Sequence, residues 1–153
     1  MTTKLHVACD RKGNPVGLLL SGGQRNDGVF LQKLLDRSFV ATGRGYRNRP
    51  KALVADKAYG SRDNRRYLSG RKIKAQIPAK KLPKGQKRRQ KGPKPKLDPG
   101  IYKERNVIER LFCRLKECRR VLTRFEKLAD AFLAFVQLAC IRMTLKRYFS
   151  DKP

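Results

Sequence analysis

Two carboxylates stand out for the company they keep. Glu109 lies in a stretch of helical periodicity. At about 100° per residue, Tyr102, Arg105, Glu109, Phe112, Cys113 and Lys116 share one stripe, because spacings of three, four and seven return to the same side. Cations therefore flank the acid one turn before and two turns after. Asp56 follows the continuous apolar run Ala52-Leu53-Val54-Ala55, which reads as a strand buried on both faces. Its carboxylate falls at the carboxyl end of that strand, where open α/β sheets hold their ligands. A strand-end carboxylate and a second one on a helix packed across the strand would form a hard oxygen site suited to Mg²⁺ or Mn²⁺. Such a site serves two-metal phosphoryl transfer, with Lys and Arg holding the polyanion. Each residue also has a plainer reading, Glu109 as a salt-bridged helix surface and Asp56 as a turn starter, and spacing alone leaves both open.

The charge favours a polyanionic partner. The chain has 153 residues, with 39 Lys and Arg against 12 Asp and Glu, a formal charge of +27. Self-repulsion on that scale is relieved by nucleic acid, whose condensed counterions are released on binding. The 39% hydrophobic content supports one domain with a real core, which excludes a wholly disordered tail. No apolar run approaches the roughly 20 residues that span a bilayer, and the N-terminus lacks a signal-peptide pattern. A soluble cytoplasmic protein with no membrane partner is expected. Cys9, Cys113, Cys118 and Cys140 form no Cys-x-x-Cys pair and have only His6 to complete a zinc site, so they read as reduced, mostly buried thiols.

The elements that must position the carboxylates follow from pattern. Lys4 to Cys9 and Val16 to Ser21, joined by turn formers from Asp10 to Pro15, predict a β-hairpin. Asp10 then belongs to the turn. Asp27 is a plausible cap for a helix over 28–37, in which Val29, Phe30, Leu34 and Leu35 recur at helical spacing. A Gly/Arg-rich loop over 42–50 precedes the Asp56 strand. Ser61 opens a short polar helix ending near Gly70, and Lys72 to Ile77 alternates like an edge strand, so a parallel β-α-β crossover is expected. Residues 78–100, rich in proline and lysine with Asp98 the sole acid, read as a mobile basic loop. A helix through about Leu122 follows, with Val107, Ile108, Leu111, Leu115 and Leu122 as its apolar face and Lys103, Arg110 and Arg114 solvated. A second apolar helix runs from about Leu128 to Phe149.

Tyr102-x2-Arg105-x3-Glu109-x6-Lys116 matches, with every spacing kept, the Tyr-Arg-Glu-Lys signature of bacterial insertion-sequence transposases of the DDE superfamily. The flanking residues 102–112 and 123–127, with 54–61 and the hairpin from Thr3 to Asp27, resemble the branch called insertion sequence five. The resemblance implies an α/β, ribonuclease H-like mixed sheet with flanking helices, in which Asp56 and Glu109 are the second and third members of a metal-binding Asp-Asp-Glu triad. It also implies that Tyr102, Arg105 and Lys116 handle DNA backbone. A water would cleave the element's end and the freed 3′-OH would attack the target, with no covalent enzyme intermediate.

The family's first aspartate lies on a strand preceding Thr3, so the resemblance leads us to expect a catalytic domain truncated at its N-terminus, its first central strand absent and two strand edges unpaired. The expected organisation is one partial domain: hairpin and crossover over 1–77, the basic loop over 78–100 and C-terminal helices over 101–153. Neither Asp10 nor Asp27 offers a replacement ligand. Expected partners are double-stranded DNA, contacted also by Lys80, Lys81, Lys84, Lys87, Arg88 and Arg89, and an upstream-frame product or full-length transposase, as an oligomer on DNA in the bacterial nucleoid. The expected activity is transposition, incomplete in this chain alone. The alternative is a non-catalytic DNA-binding remnant or inhibitor of transposition.

Overall fold

The computed structural model describes residues 2–79 and 96–149. Its described residues build a mixed α/β structure of three two-stranded sheets with helices around them. Strands β1 (Thr3–Cys9) and β2 (Pro15–Gly22) are antiparallel, in register from Thr3 opposite Gly22 to Ala8 opposite Gly17. Asp10 closes their turn by accepting from the Asn14 backbone N–H at 2.8 Å and its Nδ2 at 2.9 Å, while Gly13 supplies φ 81°. Asp10 is a turn residue, as its neighbours imply.

The next helix departs from expectation at its start. Asn26, not Asp27, is the cap: its Oδ1 accepts from the Gly28 N–H at 2.9 Å and opens a 3-10 turn over Asp27–Phe30, which runs into α1 (Leu31–Asp36). Asp27 is instead held by the Lys4 ammonium at 3.0 Å. The tighter turn shifts the apolar register. Val29 is left 61% exposed, and Leu31, Leu34 and Leu35 face the core.

The Gly/Arg-rich stretch is a β-ribbon rather than an irregular loop. Strands β3 (Val40–Thr42) and β4 (Gly45–Arg47) pair antiparallel with every residue exposed. Gly45 at φ 112° allows the tight reversal, and the Thr42 hydroxyl donates to the Gly45 carbonyl at 2.8 Å.

The crossover follows as expected. Strand β5 (Ala52–Val54), a 3-10 turn over Lys57–Tyr59, α2 (Arg62–Gly70) and β6 (Lys74–Gln76) form a parallel unit, with Ala52 opposite Lys74 and Val54 opposite Gln76. Ser61 caps α2 by accepting from the Asn64 N–H. Strand β5 is half-buried rather than covered on both faces.

The helix expected through Leu122 is divided into α3 (Pro99–Lys103), α4 (Asn106–Lys116) and α5 (Arg119–Thr123). Around Glu104 and Arg105 the backbone tightens to three-residue bonds, Arg105 to Tyr102 at 3.0 Å and Val107 to Glu104 at 3.0 Å. Cys118 turns extended before α5, which leaves Leu122 58% exposed and outside the packed face. Helix α6 (Ala129–Phe149) completes the described chain. All four cysteines are free; Cys140 is buried, but Cys113 is exposed, contrary to the expectation of mostly buried thiols. Among the described residues no helix is long and apolar enough to cross a membrane.

Two buried clusters result. Leu111, Leu115, Phe132, Val136, Ala139 and Cys140 pack beneath the β1–β2 hairpin. Leu31, Leu35, Leu68, Ile73 and Ile77 pack beneath β5 and β6.

Candidate active site

Strand β5 delivers Asp56 to its carboxyl end, where the chain must turn. Asp56 is exposed and caps the following 3-10 turn, its Oδ1 accepting from the Lys57 N–H at 2.5 Å. The carboxylate thus does what a turn starter does, and among the described residues its second oxygen accepts no hydrogen bond. Beside it lies a cavity of about 250 Å³ between β1 and β5, lined by Leu5 to Cys9 on one side, Leu53 to Asp56 with Tyr59 on the other, and closed by Arg105, Ile108 and Phe112. β1 and β5 belong to separate sheets and are not paired with one another.

Glu109 is one helical turn beyond Arg105, and the pair is closed by a contact of 2.6 Å between Arg105 Nη2 and Glu109 Oε1. The side chains are 34% and 52% exposed, so the pair by itself contributes on the order of 0.3–0.5 kcal/mol. The salt-bridge reading of Glu109 is present in the geometry. Its partner Arg105 is nonetheless a wall of the cavity that Asp56 lines. Tyr102 is half-buried in α3, separated from Glu109 by the break at Arg105, so the two share a neighbourhood without sharing a helix. Lys116 is exposed in the last turn of α4, about 10 Å along the axis from Glu109. Lys80, Lys81, Lys84, Lys87, Arg88 and Arg89 lie outside the described residues, as does most of the segment expected to be a mobile loop.

The donor set can be tested against a metal. Asp56 and Glu109 offer the hard oxygens that Mg²⁺ and Mn²⁺ favour. No group of three or more His, Cys, Asp or Glu among the described residues is placed to hold an ion. The described residues therefore supply two hard-oxygen donors and no assembled ligand cluster.

Tyr59 was not singled out from sequence. It lines the cavity, and its phenol pKa is raised first by burial and then by the negative charges of Asp27 and Asp56. Two acids therefore act on one hydroxyl at the cavity's edge. The available signal was its position three residues beyond Asp56 in a turn sequence. His6, on the facing strand, hydrogen-bonds Ser21 at 2.8 Å and stacks on Phe30 at 4.8 Å, which ties β1 to the segment leading into α1.

A parallel β-α-β unit thus carries an acid at its strand end, and Arg105, paired with Glu109, walls the cleft beside that acid. Residues 1–144 match the transposase DDE domain family. The chain belongs to that family. It is 32% identical over 142 residues to a Burkholderia cepacia protein named as the transposase of insertion sequence element IS402, covering 90% of this chain and 60% of that protein. It is 34% identical over 146 residues to a Brucella ovis protein named as the transposase of insertion sequence element IS6501, covering 95% of this chain and 100% of that one. No solved structure matches.

Proposed function

We propose that this chain acts in DNA transposition as the metal-binding catalytic part of a DDE transposase, of the branch called insertion sequence five. The observation that carries the reading is that Arg105, which holds Glu109 at 2.6 Å, walls the cleft that Asp56 lines. Asp56 and Glu109 would hold a divalent metal, Mg²⁺ or Mn²⁺, within a ribonuclease H-like arrangement. When bound, the metal supplies charge stabilisation to the attacking and leaving oxygens of an in-line displacement at phosphorus. Arg105 pairs with Glu109 in the free protein, and with that carboxylate committed to a metal its guanidinium would be available to a phosphate. Tyr102 and Lys116 orient the DNA backbone on either side, Lys116 as a point charge. The basic residues Lys80, Lys81, Lys84, Lys87, Arg88 and Arg89 add phosphate contacts. The partner is double-stranded DNA, at the element's ends and at the target, engaged by an oligomer.

Titration of the chain with Mn²⁺, followed calorimetrically in the presence of duplex DNA, tests the site. Asp56→Asn and Glu109→Gln should each weaken Mn²⁺ binding by about tenfold or more, and binding indifferent to both would overturn the assignment. Two carboxylates supply only part of the shell that two ions require. The chain is therefore expected to bind DNA and metal without cutting. Metal-dependent nicking by the chain that is lost in Glu109→Gln would show the shell to be complete.

A further inference from the structure

A strongly basic groove opens at the end of β5 and β6 remote from Asp56. Arg47, Arg49, Lys51, Lys72 and Lys74 line it, with Ile101 of α3 at one wall, around a cavity of about 540 Å³. No acidic residue occurs in positions 37–55 or 64–97, and none of the five cations forms an ion pair with a described residue. Like charges gathered this closely repel one another unless an anion is seated between them. The fold nonetheless fixes them in place. Arg71 Nη2 donates to the Asn48 carbonyl at 3.2 Å and to its Oδ1 at 3.1 Å, while Nη1 pairs with Asp36 at 3.1 Å, so the Arg47–Arg49 segment is fastened to the end of α2. Lys72 is held at φ 56° at the same end, its N–H donating to the Ser69 carbonyl at 2.9 Å.

The exposed β3–β4 ribbon leads directly into this groove. Its tip carries Arg44, and Tyr46 is 82% exposed. We propose that ribbon and groove form a second contact surface for duplex DNA, with the ribbon in the major groove and the five cations on the flanking phosphates. The major groove of B-form DNA, about 12 Å wide, admits a two-stranded ribbon, whereas the deep, narrow major groove of A-form RNA does not. From Lys51 to Asp56 the chain advances about 16 Å, roughly five base pairs of duplex. The surface thus holds DNA about half a helical turn from the Asp56 end. It rests on the DNA-acting reading above only for the identity of the polyanion.

The test is the salt dependence of binding to a short labelled DNA duplex, measured by fluorescence anisotropy on the full chain. The variant Arg47→Gln/Arg49→Gln/Lys72→Gln/Lys74→Gln should lose about 0.9 from the logarithmic slope for each phosphate contact removed. A control that removes equal charge from α2 and α6, Arg62→Gln/Arg66→Gln/Arg142→Gln/Lys146→Gln, should keep the slope of the unaltered chain. Tyr46→Ala should weaken binding with the slope unchanged, since its contact is not ionic. All these side chains lie outside the packed clusters, so matching thermal unfolding curves exclude loss of fold. Equal flattening in groove variant and control would overturn the proposal, because the charge would then be acting diffusely. Weakened binding only to double-stranded RNA or to vesicles of anionic lipid would overturn the duplex DNA assignment. Failure of the unaltered chain to bind duplex DNA at low salt would instead sink the DNA-acting reading itself.

Discussion

The hairpin half and the crossover half of the molecule obtain their cores in different ways. Beneath β5 and β6, every buried residue falls between Leu31 and Ile77, so the unit closes on elements that are near neighbours in the chain. Beneath β1 and β2, the buried residues come from α4 and α6, Leu111 onward, roughly a hundred residues downstream. The buried core of the crossover draws only on its own elements, whereas the buried core beneath the hairpin is supplied by the C-terminal helices. Each half carries one of the two proposed metal ligands, Asp56 in the crossover and Glu109 on α4 above the hairpin. Their relative placement therefore depends on contacts between halves: the cleft itself, the Lys4–Asp27 pair and the His6–Phe30 stack.

The largest test of this division is mutational. Leu68 and Leu111 are fully buried, one in each cluster. Leu68→Ala and Leu111→Ala should each cost about 2–5 kcal/mol in denaturant unfolding. If the clusters are independent, the double variant should equal the sum within about 0.5 kcal/mol. Strong coupling would mean that the cleft transmits packing and that there is one core.

A smaller effect probes the crossover alone. The buried Asn64 carboxamide donates to the Gly28 carbonyl at 2.7 Å and to the Tyr59 carbonyl at 3.1 Å, fastening the two 3-10 turns together. Asn64→Ala should leave those acceptors short of donors and cost about 1–3 kcal/mol. Urea titration should register the loss, and a cost near zero would show that solvent replaces both bonds.

The joint between the halves should respond to pH. Burial lowers the His6 pKa, opposed by the Asp27 carboxylate and reinforced by Lys4. The unfolded chain therefore binds a proton at a higher pH than the folded one, so stability rises with pH through this window. Its contribution is fully present above about pH 6.5 and is lost as pH falls through the lowered folded value. Thermal melting of His6→Gln against the unaltered chain between pH 7 and 5 should show a flatter dependence in the variant. Parallel curves would remove His6 from the joint.

The finest discrimination uses the thiols. Burial pushes Cys9 and Cys140, both in the hairpin half, up to about 11, while Cys113 is exposed. With a thiol reagent near pH 8, Cys113 should react first and the other two only as that half opens, because the thiolate is the nucleophile. Simultaneous reaction would indicate that the helices undock readily.

Much of this was legible in local pattern. The turn at Asp10, the cap at Ser61 and the parallel crossover each depend on residues within a few positions of one another, and pattern alone located them. The departures share a cause. Asn26 displaced Asp27 as cap because Lys4, more than twenty residues away, claims the Asp27 carboxylate. The break at Arg105 and the ribbon at Val40–Arg47 depend on single backbone turns, which helical or strand periodicity averages over.

The sequence by itself determined the two carboxylates, the spacing that relates Tyr102, Arg105, Glu109 and Lys116, and the excess of positive charge, since these are properties of residue type and order. Only the tertiary structure decided that Arg105 both neutralises Glu109 and walls the cleft beside Asp56, and that five cations from two separate segments meet in one groove. Docking of α4 on the hairpin and fastening of Asn48 to the end of α2 set those placements. Both are long-range contacts, and no local pattern encodes their distance or direction.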